Sequence, residues 1–354
     1  MAHGRFGWLN GIAAMAAFLF SASEALADVK VVSSILPVHS LVAGVMEGAG
    51  EPQLLVKGGA SPHTYSLKPS EARVLADADI VFWVGQGLET FLKKPLESLS
   101  GNAQLVEIMG LEGAELLPLR AGATWDTHDH SHHGGHGGHD VHDGHEKDDH
   151  GHDDHGHDDH ADAAHDEADH KDAGHADDEH ADFDAHLWLD PHNANRIVRA
   201  AVRALGKADP SNQDLYQANG DRLIGRIAAL DNELEALLAP LKDRPYVVFH
   251  DAYQYFEKRF GLSPVGSITV NPDQKPSAKR LYAIRNKILD LKAACVFSEP
   301  QFEPALVVTV VEGTDAKTGV LDPLGAGITP GPGAYFELMR NLAGSLNTCL
   351  SPVS

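Results

Sequence analysis

The sequence predicts an α/β protein of two βα lobes joined by a long rigid backbone helix, with a ligand site in the interlobe cleft. Three observations predict it. Short β-branched runs alternate with helical patterns in the first half of the chain and again in the second. A single helical pattern of nearly eight turns separates the two series. The 354 residues, less a leader-like start and a low-complexity tract, leave enough chain for two domains of ~130 residues each.

Residues 1–27 read as a signal peptide. Arg5 lies in a short basic stretch, an apolar run covers 11–20, and Ala25-Leu26-Ala27 forms an A-x-A cleavage pattern. The apolar run is about ten residues, too short for a bilayer of ~30 Å, and no later stretch approaches ~20 apolar residues. The mature chain is expected to start at Asp28 as an exported monomer with no membrane insertion.

Residues 28–205 read as the N-terminal lobe. Segments 29–35, 53–56, 80–84 and 105–108 are strand-like, with helices over 38–47 and 70–78. Asp190-Pro191 supplies a cap and a first-turn proline for a helix to about Leu205. Residues 206–244 read as the linking helix. From Gln213 to Leu241, the residues Leu215, Leu223, Ile227, Leu230, Leu234, Leu238 and Leu241 recur at spacings of three and four, with one gap of eight. At 1.5 Å per residue the pattern is ~40 Å long, more than one lobe needs. Residues 245–354 read as the C-terminal lobe, with strands over 246–250, 265–269 and 295–298 and helices over 252–260 and 277–292.

The formal charge of −23 is unevenly placed. Residues 126–184 carry 21 Asp and Glu against Lys147 and Lys171, and they hold 17 of the 23 histidines. The rest is an ordinary, mildly acidic body with no basic patch, which argues against nucleic acid as a partner. The tract reads as a disordered insert, too poor in apolar residues to offset its ordering entropy. Its repeats place His150, His152, His155, His157 and His160 among aspartates, a composition suited to loose binding of several Zn, Cu or Ni ions. A solvated spacer with no metal role is the alternative.

The two cysteines, Cys295 and Cys349, are both near the C-terminus. In an oxidising compartment they suit one disulfide stapling the last helix to the sheet, with a loop-closure contribution of ~4 kcal/mol. A pair of buried free thiols is the competing reading.

Three isolated histidines stand out in the body. His63 lies in Gly58-Gly59-Ala60-Ser61-Pro62-His63-Thr64-Tyr65, a loop after a strand. His186 lies in Asp184-Ala185-His186-Leu187-Trp188-Leu189-Asp190-Pro191, just before a helix, and His250 ends the strand of Tyr246. Such element edges are where α/β lobes place ligand groups. No HExxH or CxxC spacing accompanies them, so position alone does not choose between ligands and structural histidines.

These segments, with Phe249-His250-Asp251-Ala252-Tyr253, Ser298-Glu299-Pro300-Gln301-Phe302 and Leu321-Asp322-Pro323-Leu324-Gly325, resemble the periplasmic zinc-binding proteins of high-affinity zinc ABC transporters. The resemblance spans essentially the whole mature chain, His/Asp-rich insert included. It implies Zn2+ in the cleft, a location in the periplasm, and an ABC permease and its ATPase subunit as partners. It implies His63, His186 and His250 as zinc ligands. Asp322 or water would complete the site, since Pro62 stands where the family often has a glutamate. It also matches Cys295 and Cys349 to a disulfide found in many zinc-specific members.

Two other classes compete. Three histidines with an open position would also serve a zinc-dependent hydrolase, although no HExxH or G-x-S-x-G motif accompanies them. A metal buffer or adhesin working without a permease is the second. Of the remaining histidines, His39 reads as a surface or packing residue and His192 as solvent-facing or capping. Tyr65, Trp188 and Tyr253 read as a dry shell around the ligands.

Overall fold

The computed structural model describes residues 29–120 and 182–352, apart from 100, 102, 270, 271 and 273. The expected leader, the five repeat histidines and nearly all of the insert lie outside the described residues. The first lobe runs β1 (Val31–Ser33), α1 (Leu36–Met46), β2 (Gln53–Leu54), α2 (Pro69–Ala76), β3 (Ile80–Trp83), α3 (Lys93–Leu99) and β4 (Gln104–Glu107). Then come α4 (Pro191–Ala208) and α5 (Gln213–Leu238). The second lobe runs β5 (Tyr246–His250), α6 (Gln254–Phe260), β6 (Pro264–Thr269), α7 (Ala278–Asp290), β7 (Cys295–Ser298), α8 (Ala305–Val311), β8 (Lys317–Val320) and α9 (Ala334–Leu350).

Both sheets are four-stranded and parallel with the same topology, β2-β1-β3-β4 and β6-β5-β7-β8. Successive side chains on each strand face opposite ways. Val31, Ile80 and Phe82 of the first sheet, and Tyr246, Val248 and Phe297 of the second, belong to one continuous core with α1, α4, α5 and α9. The opposite faces, Val32, Val81 and Trp83 in one lobe and Val247, Phe249 and Val296 in the other, pack into separate outer cores. The two sheets therefore share their inner core.

Helix α5 touches both sides. Near its start, Asn219 donates to the carbonyls of Val45 and Glu47 at 2.9 and 2.8 Å, at the end of α1. The eight-residue gap in its leucine pattern is filled by Tyr216, Asn219 and Gly220, all buried. At Gly220 an added Cβ would lie 2.5 Å from Val202, so only glycine allows α4 this close. Farther along, Asp231 pairs with Arg259 of α6 and Glu233 with Arg340 of α9.

Helix α9 is a second crossing element that the division at residue 245 misses. At its start the Tyr335 N–H donates to Ser40 Oγ of α1 at 2.9 Å, and the Tyr335 hydroxyl reaches the Trp188 carbonyl. At its end Cys349 is bonded to Cys295 of β7, so the last helix is stapled to the sheet as expected. Among the described residues no helix is long and apolar enough to cross a membrane.

Candidate metal centre

The site forms where strands β5 and β7 end. In a sheet ordered β6-β5-β7-β8, the crossovers from these two neighbours leave in opposite directions, opening a crevice at their C-terminal ends. His250 is the last residue of β5, and Glu299 follows the last residue of β7. His63 arrives on the loop after β2, where Gly58 and Gly59 take left-handed φ of 63° and 77° that residues with a Cβ rarely adopt. His186 sits just before the short 3-10 turn Leu187–Leu189 leading into α4, whose N-cap Asp190 accepts from the His192 N–H.

The three rings meet. Centroid separations are 5.5 Å for His63–His186, 5.6 Å for His63–His250 and 5.2 Å for His186–His250. One nitrogen from each lies within 4.8 Å of the others, and no carboxylate among the described residues joins that group. His186 and His250 are buried and His63 is half-buried.

Two of the rings are oriented by carboxylates. His186 Nδ1 lies 2.7 Å from Asp184 Oδ1, and His250 Nδ1 lies 2.7 Å from Glu299 Oε1. A carboxylate only accepts, so each Nδ1 carries the hydrogen and each neutral ring presents its Nε2 lone pair. Those two Nε2 atoms face each other at 3.4 Å. Two lone pairs at that distance repel unless a proton or a cation lies between them. His63 Nε2 is buried without a hydrogen-bond partner. Burial, reinforced by the neighbouring His186 and His250, holds the His63 pKa well below 6.5 and keeps it an uncharged donor. For His250 burial also pulls downward, but the charge and hydrogen bond of Glu299 outweigh it and the pKa is raised.

Asp322 stands apart from the three histidines. Its Oδ1 accepts from Gln301 Nε2 and from the backbone N–H groups of Leu324 and Gly325, and its Oδ2 accepts from Ala326 N–H at 2.6 Å. The carboxylate holds the 322–326 turn, and it is not in the group of ligand atoms that converge from the three histidines.

The insert boundary also moves. Asp182, Phe183 and Asp184 belong to the folded body: Pro118 bridges Phe183, Leu119 N–H donates to the Asp182 carbonyl, and Asp184 N–H donates to the Leu117 carbonyl. Arg120, at the other side of this neck, pairs with Asp251 and Glu257 at 3.1 and 2.7 Å. Both sides of the neck thus reach residues beside a site histidine.

Sequence reasoning left Asp184 without a role, although its spacing of two from His186 was visible. Glu299 carried no such signal, because its partner is 49 positions away. Phe302, whose ring lies 5.8 Å from His250, was also missed. Trp188 packs on His186 at 5.2 Å and Tyr253 lies 6.4 Å from His250, whereas Tyr65 packs on Phe91 instead. His39 is buried and bonded to the Pro52 carbonyl, and the side chain of His192 is exposed.

Comparison with known proteins places this arrangement. The family described as "Zinc-uptake complex component A periplasmic" matches residues 31–349. The chain belongs to this family. It is 50% identical over 321 residues to the high-affinity zinc uptake system protein ZnuA of Brucella suis biovar 1, covering 91% of each chain. It is 35% identical over 343 residues to ZnuA of Yersinia pestis, covering 97% of this chain and 98% of that one. A crystal structure titled ZnuA shares the fold at TM-score 0.67 and 22% identity, covering 91% of this chain and 99% of the other. Family membership makes this chain the periplasmic, zinc-binding component of an uptake system rather than a member of an enzyme class.

Proposed function

We propose that this protein captures one Zn2+ through His63, His186 and His250 and delivers it, as a monomer, to an ABC permease driven by its ATPase. The observation that carries the site assignment is the convergence of three imidazole nitrogens, two of them tautomer-locked and facing each other at 3.4 Å. Imidazole nitrogen suits zinc, whereas a harder ion such as manganese would draw more carboxylate oxygen. Export by residues 1–27, weak gathering of ions by the His/Asp tract, and α5 as a rod between two lobes complete the reading. Titration of Zn2+ against a calibrated chelator tests it. Replacing any one of the three histidines by alanine is expected to weaken the tight site about tenfold or more. Wild-type affinity in all three variants would remove the assignment.

A further inference from the structure

We propose that Gln301 supplies the oxygen that completes this zinc site. The inference rests on the three-histidine reading above. Gln301 lines the same small cavity as His63, His186 and His250. Its amide orientation is settled by chemistry. Nε2 donates at 2.8 Å to Asp322, a carboxylate already pinned by three backbone N–H groups and unable to donate. The nitrogen must therefore lie on the Asp322 side, and Oε1 on the other. That oxygen is buried and has no hydrogen-bond partner.

A buried carbonyl oxygen with no donor is costly, and a cation in the cavity would satisfy it. Glu299 Oε2 and Asp184 Oδ2 are also buried and unpartnered. Their carboxylates, however, are bonded at Nδ1, across each ring from Nε2, and neither joins the three converging nitrogens. Ser61 Oγ also lines the cavity, buried and unpartnered, but a hydroxyl can turn to donate, whereas the Gln301 carbonyl oxygen only accepts, which favours Gln301 as the oxygen facing the ion. Three neutral imidazoles and one neutral oxygen give four ligands, the number zinc takes at most protein sites. In this arrangement Asp322 is a positioning residue, acting through the amide it holds.

The test uses the full mature chain with Zn2+ alone in chelator competition, and with Co2+ as a visible-absorption reporter of the coordination sphere. Gln301→Leu fills the space without a donor and is expected to weaken zinc about tenfold or more and to alter the Co2+ spectrum. Gln301→Ala makes room for a water and is expected to lose less than the leucine variant. Asp322→Ala is expected to weaken zinc through the freed amide, by no more than Gln301→Leu. A residue that merely supports the turn would give losses at least as large for alanine as for leucine, with an unchanged Co2+ spectrum, and that result overturns the proposal. So does wild-type affinity in Gln301→Leu while His63→Ala still loses zinc, an outcome that leaves the histidine reading intact. Normal binding in His63→Ala would instead break that reading. Metal-free melting temperatures establish that each variant is folded.

Discussion

The two lobes share one strand order and use it for opposite purposes. In the C-terminal lobe, the crevice where β5 and β7 end holds His250 and Glu299, a ligand nitrogen and the carboxylate that orients it. In the N-terminal lobe, the matching ends of β1 and β3 hold Ser33, Ser34 and the buried carboxylate of Glu89, which accepts from Val84 N–H at 2.7 Å. That crevice is plugged with polar groups, and the lobe contributes its histidine from the loop after β2 instead. One topology thus provides a place for a ligand, while the side chains at the strand ends decide whether it is used. The result is an asymmetric site. Its two buried rings are tautomer-locked by carboxylates, whereas the His63 ring, on the glycine loop, has no such partner among the described residues.

The largest test of that asymmetry compares the histidines. His250→Ala or His186→Ala removes a ligand and also leaves Glu299 or Asp184 as a buried carboxylate without its partner. Each is expected to weaken Zn2+ by about a hundredfold or more, with a drop in metal-free melting temperature. His63→Ala strands no carboxylate, so it is expected to lose about tenfold or more in affinity with little change in melting temperature. Equal thermal effects in all three variants would dissolve the distinction.

A smaller effect is expected from the carboxylates themselves. Glu299→Ala and Asp184→Ala keep all three imidazoles but free two of them to rotate and change tautomer, a loss of ~10–100-fold. The neck sharpens this point. Deleting residues 126–181 is expected to lower zinc stoichiometry while leaving the tight constant within about twofold, because Asp184 stays in place. Extending the deletion to residue 184 is expected to bring the Asp184→Ala loss with it. Isothermal titration of the two deletions reads both numbers. A tight constant lost in the shorter deletion would mean that the insert supplies a ligand.

Most of the fold was readable because parallel strands covered on both faces appear as short apolar, β-branched runs. The segments around Val81 and Val248 show this, and strands β5 and β7 fall on the residues expected. Strand β8, Lys-Thr-Gly-Val at the sheet edge, is largely exposed and carries no such run. The shared inner core was also hidden, since a sequence shows that Phe82 and Phe297 are apolar but not that they join one cluster. At the site, the motifs named the three histidines that meet. The same motif reading offered Asp322 or water as the fourth ligand, and a sequence does not show where a carboxylate's hydrogen bonds go. Four donors from Gln301 and the 324–326 backbone occupy it.

The smallest expected effect on zinc, and a definite one on stability, belongs to the plugged crevice. Burial pushes the Glu89 carboxyl up from 4.5 to about 7; the neighbouring Ser34 hydroxyl and hydrogen bonds from the Val84 and Gly85 N–H groups oppose this, and the Glu107 charge adds to it. An acid whose folded pKa is raised binds its proton more tightly in the native state. Its contribution therefore favours folding as pH falls from about 7 toward 4.5, and folding loses that contribution as pH rises through the same window. At 1.36 kcal/mol per pH unit the full span is on the order of 3 kcal/mol. Glu89→Gln keeps an acceptor for the Val84 N–H and removes the ionisation. The variant is expected to melt several degrees above the wild type at about pH 8, at roughly 2–4 °C per kcal/mol, and the gap should narrow by about pH 5. Zinc affinity should be unchanged, because Glu89 lies in the crevice that holds no ligand. A melting-temperature difference that stays constant across that pH range would show that Glu89 does not titrate there, and a loss of zinc affinity would show that the two crevices are not independent.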